Sequence, residues 1–478
     1  MLEKKTVNFL QRMYQHARDH SEHLAVISEE KEINYADLLK KVETAASYLL
    51  SNGINYKSVV GISIDDEVEH LITTLALLVL GTSQITLPTH DTNALNAITA
   101  SEVGVTHVLS TDRKLALDNI SFVIWSLNRI TVPDVTKFTY SPSNEGSILL
   151  KTSGTTGKSK IIRLSEMQLA MHAQQHSDYK DEYFLRLAPI EYNNSKRHRL
   201  YCVWTGGTNV FRPYKNELIP FCLHHRVSCL DASRIHISDI ILLDNAEKLK
   251  GVKIRSGGMA TPYTQRKKII ENVTPEFYTR YATTETGTIS IAMPNDHDEE
   301  ETAGRVLDSV ALEIVDSNHL LVKAGETGEI RVKCPGMITE YYNNPQESAK
   351  RFYNGWFYPG DMGKIREDGQ LVITGRKDDM IILNGINIYP AEIESVLERH
   401  DDVLVAASLP MPSDIHGQIP IAAVTIKEHA DISTAQLLRY CKEKIGIRMP
   451  RKIIIVSEFP RNSQGKILKN ELLKAFNN

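Results

Sequence analysis

Apolar positions along the first hundred residues fall into two alternating periods. Residues 34–51, NYADLLKKVETAASYLLS, place Leu38, Val42, Ala45, Ala46 and Leu49 on one helical stripe. Gly53 stands where such a helix stops. SVVGISI (58–64) predicts a short buried strand, and a helix over about 67–80 follows. QITLP (84–88) predicts a second strand, and a further helix leads to a third at THVLS (106–110). This alternation predicts a mostly parallel sheet with helices on its faces. Ligands of such sheets sit on loops at the carboxyl ends of the strands. The most apolar stretch, Leu71 to Leu87, is interrupted by Thr73, Thr74, Gly81, Thr82, Ser83 and Gln84. It is short for a membrane span and predicts a buried helix running into a buried strand.

The texture changes twice further on. From about 305, VALEIVD (310–316), HLLVK (319–323), GEIRVK (328–333) and QLVITG (370–375) predict short strands joined by turns, hence an antiparallel β subdomain. From about 380, helix-like AEIESVLERH and AQLLRYCKEKI flank strand-like VLVAASLP and IPIAAVTI, the pattern of a small α+β domain. Between them GRKDDMIILNG (375–385) is charged and flanked by glycines, which suits a hinge.

Composition adds exclusions. The 478 residues, 42% hydrophobic and 24% charged, suit a soluble globular protein whose core needs neither disulfide nor metal. A net charge of −4 with no long block of one sign makes no case for nucleic acid or an anionic membrane as partner. The five cysteines include no C-x-x-C pair, which suits a reducing compartment. Cys222, His224, His225, Cys229 and His236 lie close together but fit no zinc spacing, and read as part of a buried strand and turn. No signal-peptide or lipidation pattern is present, so the expected compartment is the cytoplasm.

The densest chemistry is LLKTSGTTGKSKII (149–162). An apolar strand end leads into Thr152, Ser153, Gly154, Thr155, Thr156, Gly157, Lys158, Ser159 and Lys160. Glycines let backbone N–H groups approach an anion, hydroxyls add donors, and lysines add charge. The segment reads as a phosphate-binding loop. It is not a Walker A loop, because only Thr155 and Thr156 separate Gly154 from Gly157. A P-loop kinase or GTPase is thereby disfavoured.

The loop resembles the phosphate-binding loop of the adenylate-forming superfamily, which includes acyl-CoA synthetases, aryl-acid ligases, peptide-synthetase adenylation domains and luciferases. Ser159 departs from the proline usual there. The resemblance recurs in order to the last residues. Gly257, Gly258 and Met259 resemble the glycine turn beside the adenine. Tyr281-Ala282-Thr283-Thr284-Glu285 resembles the aromatic-Gly-x-Thr-Glu signature, with Ala282 in place of glycine at the edge of the acyl pocket. GWFYPGDMGKI (355–365), GRKDDMI and PRNSQGKILKNEL (460–472) resemble the three remaining motifs.

The resemblance implies an α/β fold. A large N-terminal domain, residues 1–377, would hold parallel-rich sheets, flanking helices and the β subdomain. A small mobile α+β lid, residues 378–478, would carry the catalytic lysine, Lys466. Tyr281 would stack on adenine, Thr284 would meet the α-phosphate and Glu285 would hold Mg2+. Asp361 and Arg376 would bind the ribose, and Asp378 would be the hinge. ATP and Mg2+ are the implied cofactors. The implied reaction joins a carboxylic acid to AMP, releases pyrophosphate and passes the acyl group to a thiol.

The acid is less legible. LAPIEYNNS (187–195) occupies the variable substrate stretch, with Glu191, Tyr192 and Asn193 as candidate pocket residues beside Gly258 and Ala282. Tyr192 fills the place of a histidine common in CoA ligases, and Asn193 falls where amino-acid activators carry aspartate. An amide bonds a neutral hydroxyl but cannot neutralise an ammonium group. The lean is therefore to an aryl or a short or hydroxylated acid, against an amino acid, for which Glu191 would argue, or a medium- or long-chain fatty acid. Asn384 stands where CoA ligases usually have glycine, so the acceptor is either CoA or an acyl or peptidyl carrier protein supplied in trans. A luciferase-type oxygenase and a degenerate, non-enzymatic homologue are the other readings, and retention of Thr284, Glu285, Asp361, Arg376 and Lys466 argues against the latter.

Overall fold

The computed structural model describes residues 8–29, 31–111, 120–127, 144–152, 160–176, 179–213, 217–383, 386–413, 415–461 and 467–476. The predicted first helix is Tyr35–Ser51, and Leu38, Val42, Ala45, Ala46 and Leu49 are its buried face. Asn34 caps it by accepting from the Asp37 amide at 2.8 Å. The next segments form a six-stranded sheet ordered Ser121–Ile124, His107–Ser110, Val59–Ser63, Ser83–Thr86, Ser147–Thr152 and Lys160–Ser165. The first five are parallel. The last returns antiparallel, pairing Thr152 with Lys160. The apolar stretch is the helix Glu67–Val79, buried along its length from His70, running into the strand Ser83–Thr86. Among the described residues no helix is long and apolar enough to cross a membrane.

A fifteen-stranded sheet fuses two halves. The strands Leu24–Ile27, Thr208–Val210, Tyr183–Arg186, Cys229–Ala232, Lys253–Gly257 and Phe277–Thr283 are parallel neighbours in that order. From Phe277–Thr283 onward the neighbours Gly287–Ala292, Gly304–Val306, Gln370–Arg376, Asp361–Ile365 and Gly328–Lys333 are antiparallel. Gly304 lets the antiparallel strands close up: its φ is +81°, and a Cβ there would collide with the Ile291 carbonyl. The strand Phe277–Thr283 is thus the seam between the parallel half and the predicted β subdomain.

HLLVK is not a ladder strand. It makes a single bridge, Leu321 to Val315. The Asp316 carboxylate accepts from the amides of Asn318 and Leu320 and turns the chain, with His319 at φ +62°. That local turn outcompetes strand pairing, and Leu320 and Leu321 stay exposed.

The C-terminal sheet has five strands, with Val403–Ser413 and Gly417–Ile426 as its longest pair and the helices Pro390–Glu398 and Thr434–Ile445 beside it. Its two buried clusters draw on residues from Ile381 to Phe476. The cysteines of the His/Cys stretch are core residues: Cys222 lies on the helix Leu218–His224 and Cys229 on a central strand, both buried. Among the described residues no cluster of three or more His, Cys, Asp or Glu is arranged to hold a metal.

Candidate active site

Two antiparallel strands and the seam bring three predicted residues together. Asp361 and Arg376 are register partners on neighbouring strands. Arg376 Nη1 donates to Asp361 Oδ1 at 2.8 Å and to the Pro359 carbonyl at 2.9 Å. The Tyr281 hydroxyl donates to the other carboxylate oxygen of Asp361 at 2.5 Å. Burial and the adjacent Asp361 push the Tyr281 phenol well above its ordinary pKa, so it stays a donor. Gly257 ends the neighbouring parallel strand in register with Arg280. Gly258 follows at φ +87° with open space around it, so its backbone conformation rather than crowding calls for glycine. Met259 is half-buried beside it.

The seam strand then turns into the hairpin partner through Thr284 and Glu285. The turn is tied by Thr283 Oγ1, 2.9 Å from Thr286 Oγ1. Thr284 is half-buried and Ala282 exposed. The Glu285 carboxylate accepts from the Tyr341 hydroxyl at 2.8 Å. Burial first and Glu285 second keep that phenol protonated by raising its pKa. The chain around Tyr341 reaches both ways. Ile338 N donates to the Glu285 carbonyl at 3.1 Å, and Tyr342 N to the Ile161 carbonyl at 2.7 Å. Lys160 Nζ lies 4.9 Å from the Tyr341 ring centroid and 3.0 Å from Glu347. Lys350 and then Lys160 hold the Glu347 carboxyl down at about 2. The segment 338–342 therefore clamps the candidate phosphate hairpin to the turn that carries Thr284 and Glu285.

Thr152 and Lys160 are the described ends of that hairpin. Ser153, Gly154, Thr155, Thr156, Gly157 and Lys158, like Asn384 and Lys466, lie outside the described residues.

Among the candidate pocket residues, Glu191 is buried against another loop. Its carboxylate accepts from Thr89 N at 2.6 Å and Thr89 Oγ1 at 3.1 Å, and lies 3.4 Å from His90 Nδ1. Tyr192 packs on the His90 ring at 5.3 Å between centroids. Asn193 opens the helix Asn193–Thr205 and donates to the Lys151 carbonyl at 2.5 Å, so it buttresses the strand that leads into the phosphate loop. Asp378 follows the strand Gln370–Arg376 and accepts from Arg351 Nη2 at 2.9 Å.

The match to known proteins is extensive. The profile of the AMP-binding enzymes covers residues 13–342, and that of the AMP-binding enzyme C-terminal domain covers 392–466. The chain belongs to the AMP-binding enzymes. The enzyme is 24% identical over 479 residues to 2-succinylbenzoate–CoA ligase of Bacillus subtilis (strain 168), covering 97% of each chain. It is 26% identical over 467 residues to the 2-succinylbenzoate–CoA ligase of Bacillus mycoides (strain KBAB4), covering 94% of this chain and 95% of that one. Among solved structures it resembles an amide bond synthetase from Marinactinospora thermotolerans, with TM-score 0.85, 21% identity and coverage of 98% and 99%. It also resembles o-succinylbenzoate CoA synthetase from Bacillus subtilis in complex with its acyl-adenylate intermediate, with TM-score 0.84, 23% identity and coverage of 96% and 97%. At these identities the structures speak for the fold: a large mixed α/β body with a small C-terminal domain.

Two features of the enzyme's site escaped the motifs. Tyr341 lies in GMITEYYNNP, where neither spacing nor composition marks it as the link between hairpin and turn. The run Lys196-Arg197-His198-Arg199 had a visible signal, four basic or imidazole side chains in succession, and all four are buried rather than solvated.

Proposed function

We propose that this enzyme uses ATP to activate a carboxylic acid as an acyl-adenylate and then passes the acyl group to a thiol. The observation that carries the reading is the joining of the Tyr281–Asp361–Arg376 set to the phosphate hairpin through Glu285, Tyr341 and Lys160. An aromatic face, a carboxylate for a sugar diol, and a cation-lined hairpin lie in one continuous assembly, as a nucleotide triphosphate requires. Relatives named as CoA ligases support both steps.

In the first step a carboxylate oxygen of the acid bonds to the α-phosphorus, and the bond to the β-phosphate oxygen breaks. Pyrophosphate leaves. In the second, a thiolate bonds to the acyl carbon and AMP leaves. The protein's part is positioning and charge stabilisation. Thr284 faces the α-phosphate, the loop Thr152–Lys160 cradles the others, and Asp361 with Arg376 holds the ribose. Glu285 would hold a magnesium ion: a carboxylate oriented by Tyr341 suits a hard cation. Bound there, the ion would neutralise phosphate charge.

Lys466 bridges acid and phosphate as negative charge gathers. The lid, residues 378–478, turns at Asp378 to bring Lys466 in and then to admit the thiol. The acid is aryl, or short or hydroxylated, as the aryl-acid ligase names among the relatives suggest. The acceptor is CoA or a carrier protein's phosphopantetheine supplied in trans, and the compartment is the cytoplasm. Lys466→Ala is expected to cut ATP–pyrophosphate exchange by roughly 10²–10³-fold while leaving thiol transfer from a supplied acyl-adenylate largely intact. An equal fall in both half-reactions would contradict the lid exchange.

A further inference from the structure

At the carboxyl ends of the central parallel strands the enzyme gathers a cluster of buried guanidinium groups. Asp231 is in register with Arg186 on one side and Arg255 on the other, and Arg280 follows on the seam strand. Arg186 Nη1 is 2.8 Å from Asp231 Oδ2, and Arg280 pairs with the same oxygen. Arg197 reaches in from the helix Asn193–Thr205 and is 5% exposed. Its Nη1 donates to the Thr284 carbonyl at 3.2 Å, so the guanidinium stands beside the turn assigned to the α-phosphate.

Arg186 and Arg280 thus share one carboxylate, whereas among the described residues Arg197 makes no ion pair. The Nε atoms of Arg186 and Arg197 are buried and make no hydrogen bond. The rings around them supply no negative charge. Tyr179 accepts from Arg280 at 2.9 Å and lies 2.7 Å from His198 Nδ1. Burial raises the phenol pKa of Tyr179 and, with Arg280, lowers the imidazole pKa of His176 and His198, so all three stay neutral.

An uncompensated buried cation is costly to keep, and its retention beside a reaction centre calls for an anionic ligand. We propose that the acid activated here carries a second anionic group, a further carboxylate in the simplest case, and that Arg197 receives it at the edge of the Arg186–Asp231–Arg280 cluster. This rests on the acyl-adenylate reading and names its substrate class. It departs from the neutral acid suggested by Asn193, whose amide is engaged by the Lys151 carbonyl. Glu191, engaged by Thr89 and His90, does not offset the charge.

The test is ATP–pyrophosphate exchange by the full-length enzyme with malonate, succinate, glutarate and phthalate, each paired with its monomethyl ester, and with butanoate and benzoate. The di-acids are expected to exceed their esters in kcat/KM by about 10–100-fold, the worth of one charge-assisted hydrogen-bonded contact. Arg197→Gln should collapse that ratio toward one, and Arg197→Lys should keep part of it. Esters or mono-acids that exchange as well as the di-acids would overturn the inference. So would an Arg197→Gln enzyme whose KM for ATP rises equally with every acid, which would place the guanidinium on the triphosphate. Exchange with no acid at all would instead remove the adenylation reading.

Discussion

The residue that does most to organise the nucleotide end of the site is Tyr281. Its ring has the stacking role proposed above, and its hydroxyl fixes Asp361 through the carboxylate oxygen that Arg376 leaves free. These two duties are separable. Tyr281→Phe keeps the ring and is expected to raise KM for ATP by roughly 3–10-fold, part of the worth of a hydrogen bond to a carboxylate that Arg376 still holds, with kcat little changed. A larger fall in kcat than in KM, read from steady-state kinetics, would mean that the hydroxyl acts in the chemical step. The Tyr281, Asp361 and Arg376 positions were legible in the sequence because each sits in a short motif with a fixed order. Tyr341 was not, because its importance comes from its hydroxyl on the Glu285 carboxylate and from the backbone bonds of its neighbours Ile338 and Tyr342 to Glu285 and Ile161, far apart in the chain. Arg197 was visible as charge, but a basic run ordinarily signals a solvated helix face, and only the three-dimensional packing shows that this one is buried.

At the scale of elements, period and turn chemistry carried the βαβ half of the chain. The helix Tyr35–Ser51 shows the stripe that predicted it. HLLVK failed because Asp316 offers the backbone a turn, a local competition that an apolar count does not register. The helix Pro390–Glu398 carries the main contact between the small domain and the large one. Glu398 accepts from Arg234 and from Ala406 N at 3.0 Å, and Ser395 Oγ donates to Glu301 at 3.0 Å. Burial pushes the Glu398 carboxyl up to about 7 despite Arg234. With the folded pKa above the ordinary 4.5, the stability that this group contributes is complete below that value and is lost as pH rises through about 7. Glu398→Gln is therefore expected to flatten the fall in the denaturation midpoint between pH 5 and pH 8. An unchanged slope in that window would place the titrating group elsewhere.

For the whole molecule, the decisive feature is that one sheet runs from the parallel half through the seam into the β subdomain, whereas the C-terminal sheet has buried clusters of its own. Among the described residues, what joins the small domain to the rest includes ion pairs and hydrogen bonds rather than a shared apolar cluster: Arg234 with Glu398, Ser395 with Glu301, and Arg399 with the Glu299 carbonyl. Cooperativity follows shared burial, so the two bodies are free to melt independently. A scanning calorimeter should record two endotherms, a large one for the fused sheets and a small one for the domain that begins near Ile381. ATP without acid should shift the large endotherm upward by mass action and move the small one little. A single endotherm displaced as a unit would mean that the small domain unfolds with the large one. If the seam makes the large body one thermal unit and leaves the small domain another, heat inactivation that begins in the small domain would leave nucleotide binding intact after turnover has stopped.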